Sequence, residues 1–187
     1  MKTTLKHKEH DSKIIEEYGF FVFNILESFN PNPSVADLLE SDILDKAYFY
    51  TKEEIEIRNQ QWYKYFEPIP EDNEVIEIYG SVVKEKILPS DFLELNYTEY
   101  LEKIENYISE WTEEECTDLA NELKKSHVYS KEKLASENPE KRKFHFMDTE
   151  NVEKSRQYEV NIYEYFFTII STLENSNKII VMNFGKD

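Results

Sequence analysis

Apolar residues recur early in the chain at three- and four-residue intervals. Ile14, Ile15, Tyr18, Phe21, Val22, Ile25, Leu26 and Phe29 follow Asp11-Ser12 at the spacing of one face of an α-helix. Asn30-Pro31-Asn32-Pro33 ends that pattern, because proline donates no backbone hydrogen bond and restricts the residue before it. Ser34 with Asp37 has the form of an amino-terminal cap for a second helix through Val35, Leu38, Leu39 and Ile43. Thr51 with Glu54 is a capping box for a third, through Ile55, Trp62 and Phe66.

Pro68-Ile69-Pro70 is an extended break. Beyond it, Ile76, Tyr79, Val83 and Ile87 fit a helical stripe, although Gly80 costs a helix about 1 kcal/mol. Thr98 opens a helix with Leu101, Ile104, Ile108 and Trp111 on one face and Glu102 and Glu105 on another. Thr112 with Glu115 is another capping box. It starts a helix through Cys116, Leu119, Ala120 and Leu123 that ends at Lys124-Lys125, with acids at its start and bases at its end as the helix dipole favours.

Residues 127–148 are polar and mixed in charge, and Pro139 interrupts them, so they read as a long mobile loop. Residues 144–147 are the exception, a short candidate strand. A last long helix is expected from Asp148 or Thr149, with Ile162, Tyr163, Phe166, Phe167, Ile169 and Ile170 apolar on nearly all sides, as in a buried helix. After Asn175-Ser176-Asn177, the run at 179–184 reads as a buried strand. A strand needs a hydrogen-bonded neighbour, and 144–147 or 75–79 can supply it. The expected fold is mainly α, or α+β: one domain over 1–187, helical, with a small β element.

Composition adds a core and a reducing setting. Thirteen Tyr, twelve Phe and two Trp in 187 residues are too many for a disordered acidic chain. Cys116 stands alone, so it forms no internal disulfide, which suits the cytoplasm. No apolar stretch is long enough for a signal or transmembrane segment. Three glycines are too few for a phosphate-cradling loop.

Charge changes the picture more. The net charge is −17, which disfavours nucleic acid or an anionic membrane as a direct ligand. Residues 51–118 hold 19 acidic and 6 basic side chains, a net −13. The densest group is Glu110, Trp111, Thr112, Glu113, Glu114, Glu115 and Asp118, and a second comprises Glu67, Glu71, Asp72, Glu74 and Glu77. Acids in a helix's first turn stabilise it by about 0.3–1 kcal/mol each, which accounts for Glu113–Glu115 without a partner. As a single surface, the same charge would attract a basic partner, with anchors drawn from Trp62, Tyr63, Tyr65, Tyr97, Tyr100, Tyr107 and Trp111.

Catalytic chemistry has weaker signals. His7 and His10 sit near Asp11, a conceivable metal corner but in a segment that reads as frayed. His127, behind two lysines, reads as a helix-end cap, and His145 faces away from Phe144 and Phe146 if that segment is a strand. Cys116 reads as a small buried hydrophobe, since Glu113–Glu115 oppose thiolate formation. No Gly-x-Ser-x-Gly elbow occurs.

The expected function is a non-catalytic acidic binding protein that inhibits or sequesters a basic protein. In size, acidity and lack of a catalytic motif it is similar to small bacterial immunity proteins that neutralise nuclease toxins. The residues assigned to partner binding are Glu71, Asp72, Glu74, Glu110, Trp111, Glu113, Glu114 and Asp118. No cofactor or metal is called for. The alternatives are a small hydrolase using His145 or His127 with carboxylates, a phage-type nucleic-acid mimic, and an assembly scaffold.

Overall fold

The run that begins at Gly19 is a strand, not a helix. In the computed structural model, which describes residues 4–15, 19–47, 49–50, 55–57, 59–60, 76–77, 86–110, 117–160 and 165–186, Phe21, Phe23 and Ile25 bury on one side of the backbone and Val22, Asn24 and Leu26 on the other. A strand buried on both faces loses its polar alternation, and its apolar residues then fall at helical intervals by chance. Phe29, expected in the helical stripe, is 81% exposed beyond the strand's end.

The strands are β1 (Leu5–Ile15), β2 (Gly19–Ser28), β3 (Phe49–Tyr50), β4 (Ile76–Glu77), β5 (Leu93–Leu95), β6 (Arg142–Asp148), β7 (Tyr165–Leu173) and β8 (Lys178–Lys186). Six of them form one antiparallel sheet in the order β1-β2-β8-β7-β6-β5, and β3 and β4 pair separately. The expectation of a helical domain with a small β element is therefore overturned: the fold is built on a large sheet.

The individual corrections follow from the same cause. The expected C-terminal strand is β8, but its neighbours are β2 and β7 rather than 144–147 or 75–79. Residues 144–147 lie in β6 of the same sheet, one strand removed, and Ile76 and Glu77 of the 75–79 segment belong to β4. The apolar half of the expected last helix is β7; only Lys154–Val160 is helical. The expected loop over 127–148 contains the second half of a helix and the whole of β6. The capping box at Thr112 and the proline break lie outside the described residues.

Among the described residues, five helices can be bounded, α1 (Val35–Leu39), α2 (Ile43–Ala47), α3 (Tyr97–Glu110), α4 (Thr117–Leu134) and α5 (Lys154–Val160), and residues 55–57 and 59–60 are helical as well. The cap at Ser34 is as the spacing predicts, with the Ser34 side chain and Asp37 in a reciprocal box. The helices divide between the faces of the sheet. Leu38, Leu39, Ile43 and Leu44 of α1 and α2 and Val160 of α5 pack with Val22, Leu26, Ile170, Ile179 and Val181. Tyr100, Ile104, Tyr107 and Ile108 of α3 and Ala120, Leu123 and Leu134 of α4 pack with Phe21, Phe23, Phe144, Phe146, Phe167 and Phe184 on the other face.

Two edges remain. β5 has three residues, and β1 carries Lys6, Lys8, Glu9 and Asp11 with a register shift between His7 and Glu9. Short strands, charge and bulges are what keep sheet edges from pairing with other chains. Among the described residues no helix is long and apolar enough to cross a membrane.

Candidate functional site

Helix α3 mounts its apolar stripe on the sheet and turns its acids outward. It begins at a reciprocal cap: the Asn96 amide donates to Glu99 Oε2 at 2.7 Å and the Glu99 amide donates to Asn96 Oδ1 at 3.0 Å. Tyr100, Ile104, Tyr107 and Ile108 then bury, while Glu99, Glu102, Glu105 and Glu110 are exposed. At 3.6 residues per turn these four glutamates span roughly 140° of the helix circumference. The helix's one lysine, Lys103, turns to the sheet instead, with Nζ 3.9 Å from Asp148 and 5.1 Å from the centroid of the Phe146 ring.

Several cations elsewhere on the body are matched. Lys133 reaches Glu9 at 2.6 Å and Asp11 at 3.6 Å, Lys143 reaches Glu94 at 2.7 Å, Lys178 reaches Glu137 at 2.8 Å and Lys8 reaches Glu27 at 2.8 Å. Among the described residues, no Lys or Arg lies within ion-pair distance of Glu99, Glu102, Glu105 or Glu110. The basic group recorded beside them is His127, 3.9 Å from Glu105.

Of the residues that the sequence assigns to partner binding, Glu110 falls on this exposed face. Asp118 lies in the first turn of α4, and Glu71, Asp72, Glu74, Trp111, Glu113 and Glu114 lie outside the described residues. Glu99, Glu102 and Glu105 are counted in the net −13 of residues 51–118 but fall outside its two dense groups, because they are spaced along a helix rather than run together. The anchor pool shrinks as well: Tyr100 and Tyr107 are core, and Tyr97 is half-buried against Tyr100 and Phe144.

The histidines do not assemble into one centre. His127 sits inside α4, not at its end, and is buried over the α3–α4 face. His145 points to the opposite face of the sheet, away from Phe144 and Phe146 as alternation requires, but it is buried rather than solvated. Its Nε2 is 3.4 Å from Thr172 Oγ1, and its cross-strand neighbour Glu94 is already bound to Lys143. Among the described residues, His127 faces Glu105 and His145 faces Glu94. The bulge in β1 places His7 and His10 on one face, with ring centroids 6.4 Å apart; the segment is paired sheet, not a frayed end. Among the described residues no group of three or more His, Cys, Asp or Glu is placed to hold a metal.

A buried polar row crosses the face opposite α3. His10 Nδ1 donates to Asn24 Oδ1 at 2.5 Å, and Thr168 Oγ1 donates to Asn183 Oδ1, with Asn24, Thr168 and Asn183 fully buried. These residues interrupt otherwise apolar runs in β2, β7 and β8, and that interruption is their only sequence signal.

Burial shifts several of these groups. It lowers His127, helped by Lys131 and opposed by Glu105, and it lowers His145, opposed by Glu94. His7 is pushed down to about 4 by burial and by the charges of His10 and Lys46. A histidine whose folded pKa lies below its unfolded value of about 6.5 keeps the native state proton-poor, so stability is full above that pH and is lost as pH falls below it. Asp148, raised by burial, works with the opposite sign. Urea denaturation is expected to show a lower midpoint at pH 5 than at pH 7, with a smaller drop in His145→Gln. An unchanged midpoint contradicts the assignment of buried neutral rings.

The sequence matches no protein-family model, and neither a characterised protein nor a solved structure shows significant similarity to it.

Proposed function

We propose that this chain is a non-catalytic acidic binding protein of the cytoplasm that inhibits or sequesters a basic protein, as an immunity protein masks a nuclease. The observation that carries the reading is the outer face of α3, where Glu99, Glu102, Glu105 and Glu110 stand exposed with no Lys or Arg in ion-pair range among the described residues. Four carboxylates on a rigid helix cost no reorganisation when a cationic surface arrives. Their field, added to a chain net charge of −17, favours rapid encounter with a basic partner, at up to about 10⁸–10⁹ M⁻¹s⁻¹ in low salt. The single cysteine supports the reducing compartment.

The test is association with basic nuclease domains, beginning with any encoded beside this chain's own gene, at low and at high salt. The triple variant Glu102→Lys/Glu105→Lys/Glu110→Lys is expected to slow association at least about tenfold, and high salt to erase the difference between variant and parent. Equal binding by the charge-reversed chain, or no basic domain bound at either salt, defeats the proposal.

A further inference from the structure

Beneath the acidic face, α3, α4 and the sheet line a small, partly open cavity of about 10 Å³. Phe21, Ile104, Phe167 and Met182 form its apolar wall, and Tyr100, Ser126, His127 and Ser130 supply polar groups. His127 is 8% exposed, and neither of its ring nitrogens has a hydrogen-bond partner among the described residues. Glu105, at 3.9 Å, is beyond hydrogen-bond range.

A neutral imidazole carries one donor and one acceptor, and buried polar atoms are nearly always paired with protein or with ordered water. The neighbouring hydroxyls have acceptor capacity left. Ser130 Oγ donates to the Ser126 carbonyl at 2.8 Å, and the Tyr100 hydroxyl donates to Met182 Sδ at 4.0 Å. The volume is about that of one water probe, and a water needs two to four polar partners. No organic ligand fits such a space.

We propose that this cavity is a hydration site: one water, bonded to the ring of His127 and to the Tyr100 hydroxyl, ties α4 to α3 below the glutamate face. The water gives His127 the partner that the protein does not, and it joins the two helices through a polar bridge inside an otherwise apolar layer.

A crystal structure of the full chain, paired with water-to-protein NOE spectra, tests this. The expected result is one ordered water about 2.7–3.2 Å from a His127 ring nitrogen, with a matching NOE from His127 to a long-lived water. His127→Leu is expected to lose both signals. Xenon entering the parent cavity under pressure would show it dry and overturn the proposal, as would His127 nitrogens bonded to protein groups with no water peak. Should His127→Leu fail to fold, the water peak and the xenon result on the parent decide alone.

Discussion

Replacing Arg156 by leucine is expected to destabilise the protein by about 3–5 kcal/mol, because it leaves a buried carboxylate without its counter-ion. Arg156 grips Asp91 with both arms: Nη1 donates to Oδ2 at 2.9 Å and Nη2 to Oδ1 at 2.8 Å. Nη1 also donates to the Lys86 carbonyl at 2.6 Å, and Asp91 Oδ2 accepts from the Leu88 amide at 2.8 Å. Asp91 is only 3% exposed. Burial pushes its carboxyl up, but the Arg156 guanidinium and the Leu88 amide hold it below the ordinary range. Its contribution is therefore present above the unfolded carboxyl pKa, near pH 4, and is lost as pH falls through the lower folded value. The clamp fixes residues 86–91, the approach to the edge strand β5, against α5. In Arg156→Leu, thermal unfolding should fall by roughly 6–20 °C at pH 7 for a chain of this size. The double variant Arg156→Leu/Asp91→Leu should recover most of that loss, since two apolar groups leave no charge behind. A single variant within about 1 kcal/mol of the parent means that the pair is held only at the surface.

Sequence spacing found what is fixed within one helical turn. The Ser34–Asp37 cap and the Ile104 and Ile108 pair of the α3 stripe are set by neighbours three and four residues away and stand in the structure. Leu101, by contrast, is half-buried, Trp111 lies outside the described residues, and the helix starts at Tyr97 behind an Asn96–Glu99 cap rather than at Thr98. The strand at β8 was legible because its apolar run at 179–184 is continuous and bounded by turn residues. β2 and β7 were not: each is buried on both faces by other elements, and only the pairing of β2 with β8 and of β8 with β7 gives those residues an inside on either side. The polar stretch from His127 to Lys143 looked like a loop because most of its polar residues are the outer side of α4 and a surface turn; its buried members, His127, Ser130, Leu134 and Arg142, are isolated in sequence. The site was half legible. Charge density pointed to the chain around Glu110, whereas the exposed face runs back along α3 through Glu102 and Glu99, acids that a charge count dilutes among apolar residues. The Arg156–Asp91 clamp, 65 residues apart, had no local signal at all.

The mounting of that acidic face supplies the second large effect, expected from Phe144→Ala. Phe144 lies in β6, fully buried, with its ring stacked on Tyr100 at 4.6 Å and 7° and tilted against Tyr97 at 5.8 Å. Both tyrosines belong to the first turn of α3, so this stack is the point where the helix meets the sheet. Truncation removes the buried ring and leaves a cavity, a loss of about 3–5 kcal/mol, of which about 0.5–1.5 reflects the aromatic contacts themselves. Phe144→Leu keeps most of the volume and should cost much less. The loss should also be local before it is global. In hydrogen exchange, the amides of α3 should lose protection in Phe144→Ala more than those of β8, which is held by two neighbouring strands. Because every glutamate remains, any weakening of partner binding in this variant measures how far the acidic face depends on a rigid helix rather than on charge alone. Uniform loss of protection across the sheet and α3 would show that the stack belongs to the global core and does not set the helix's attachment.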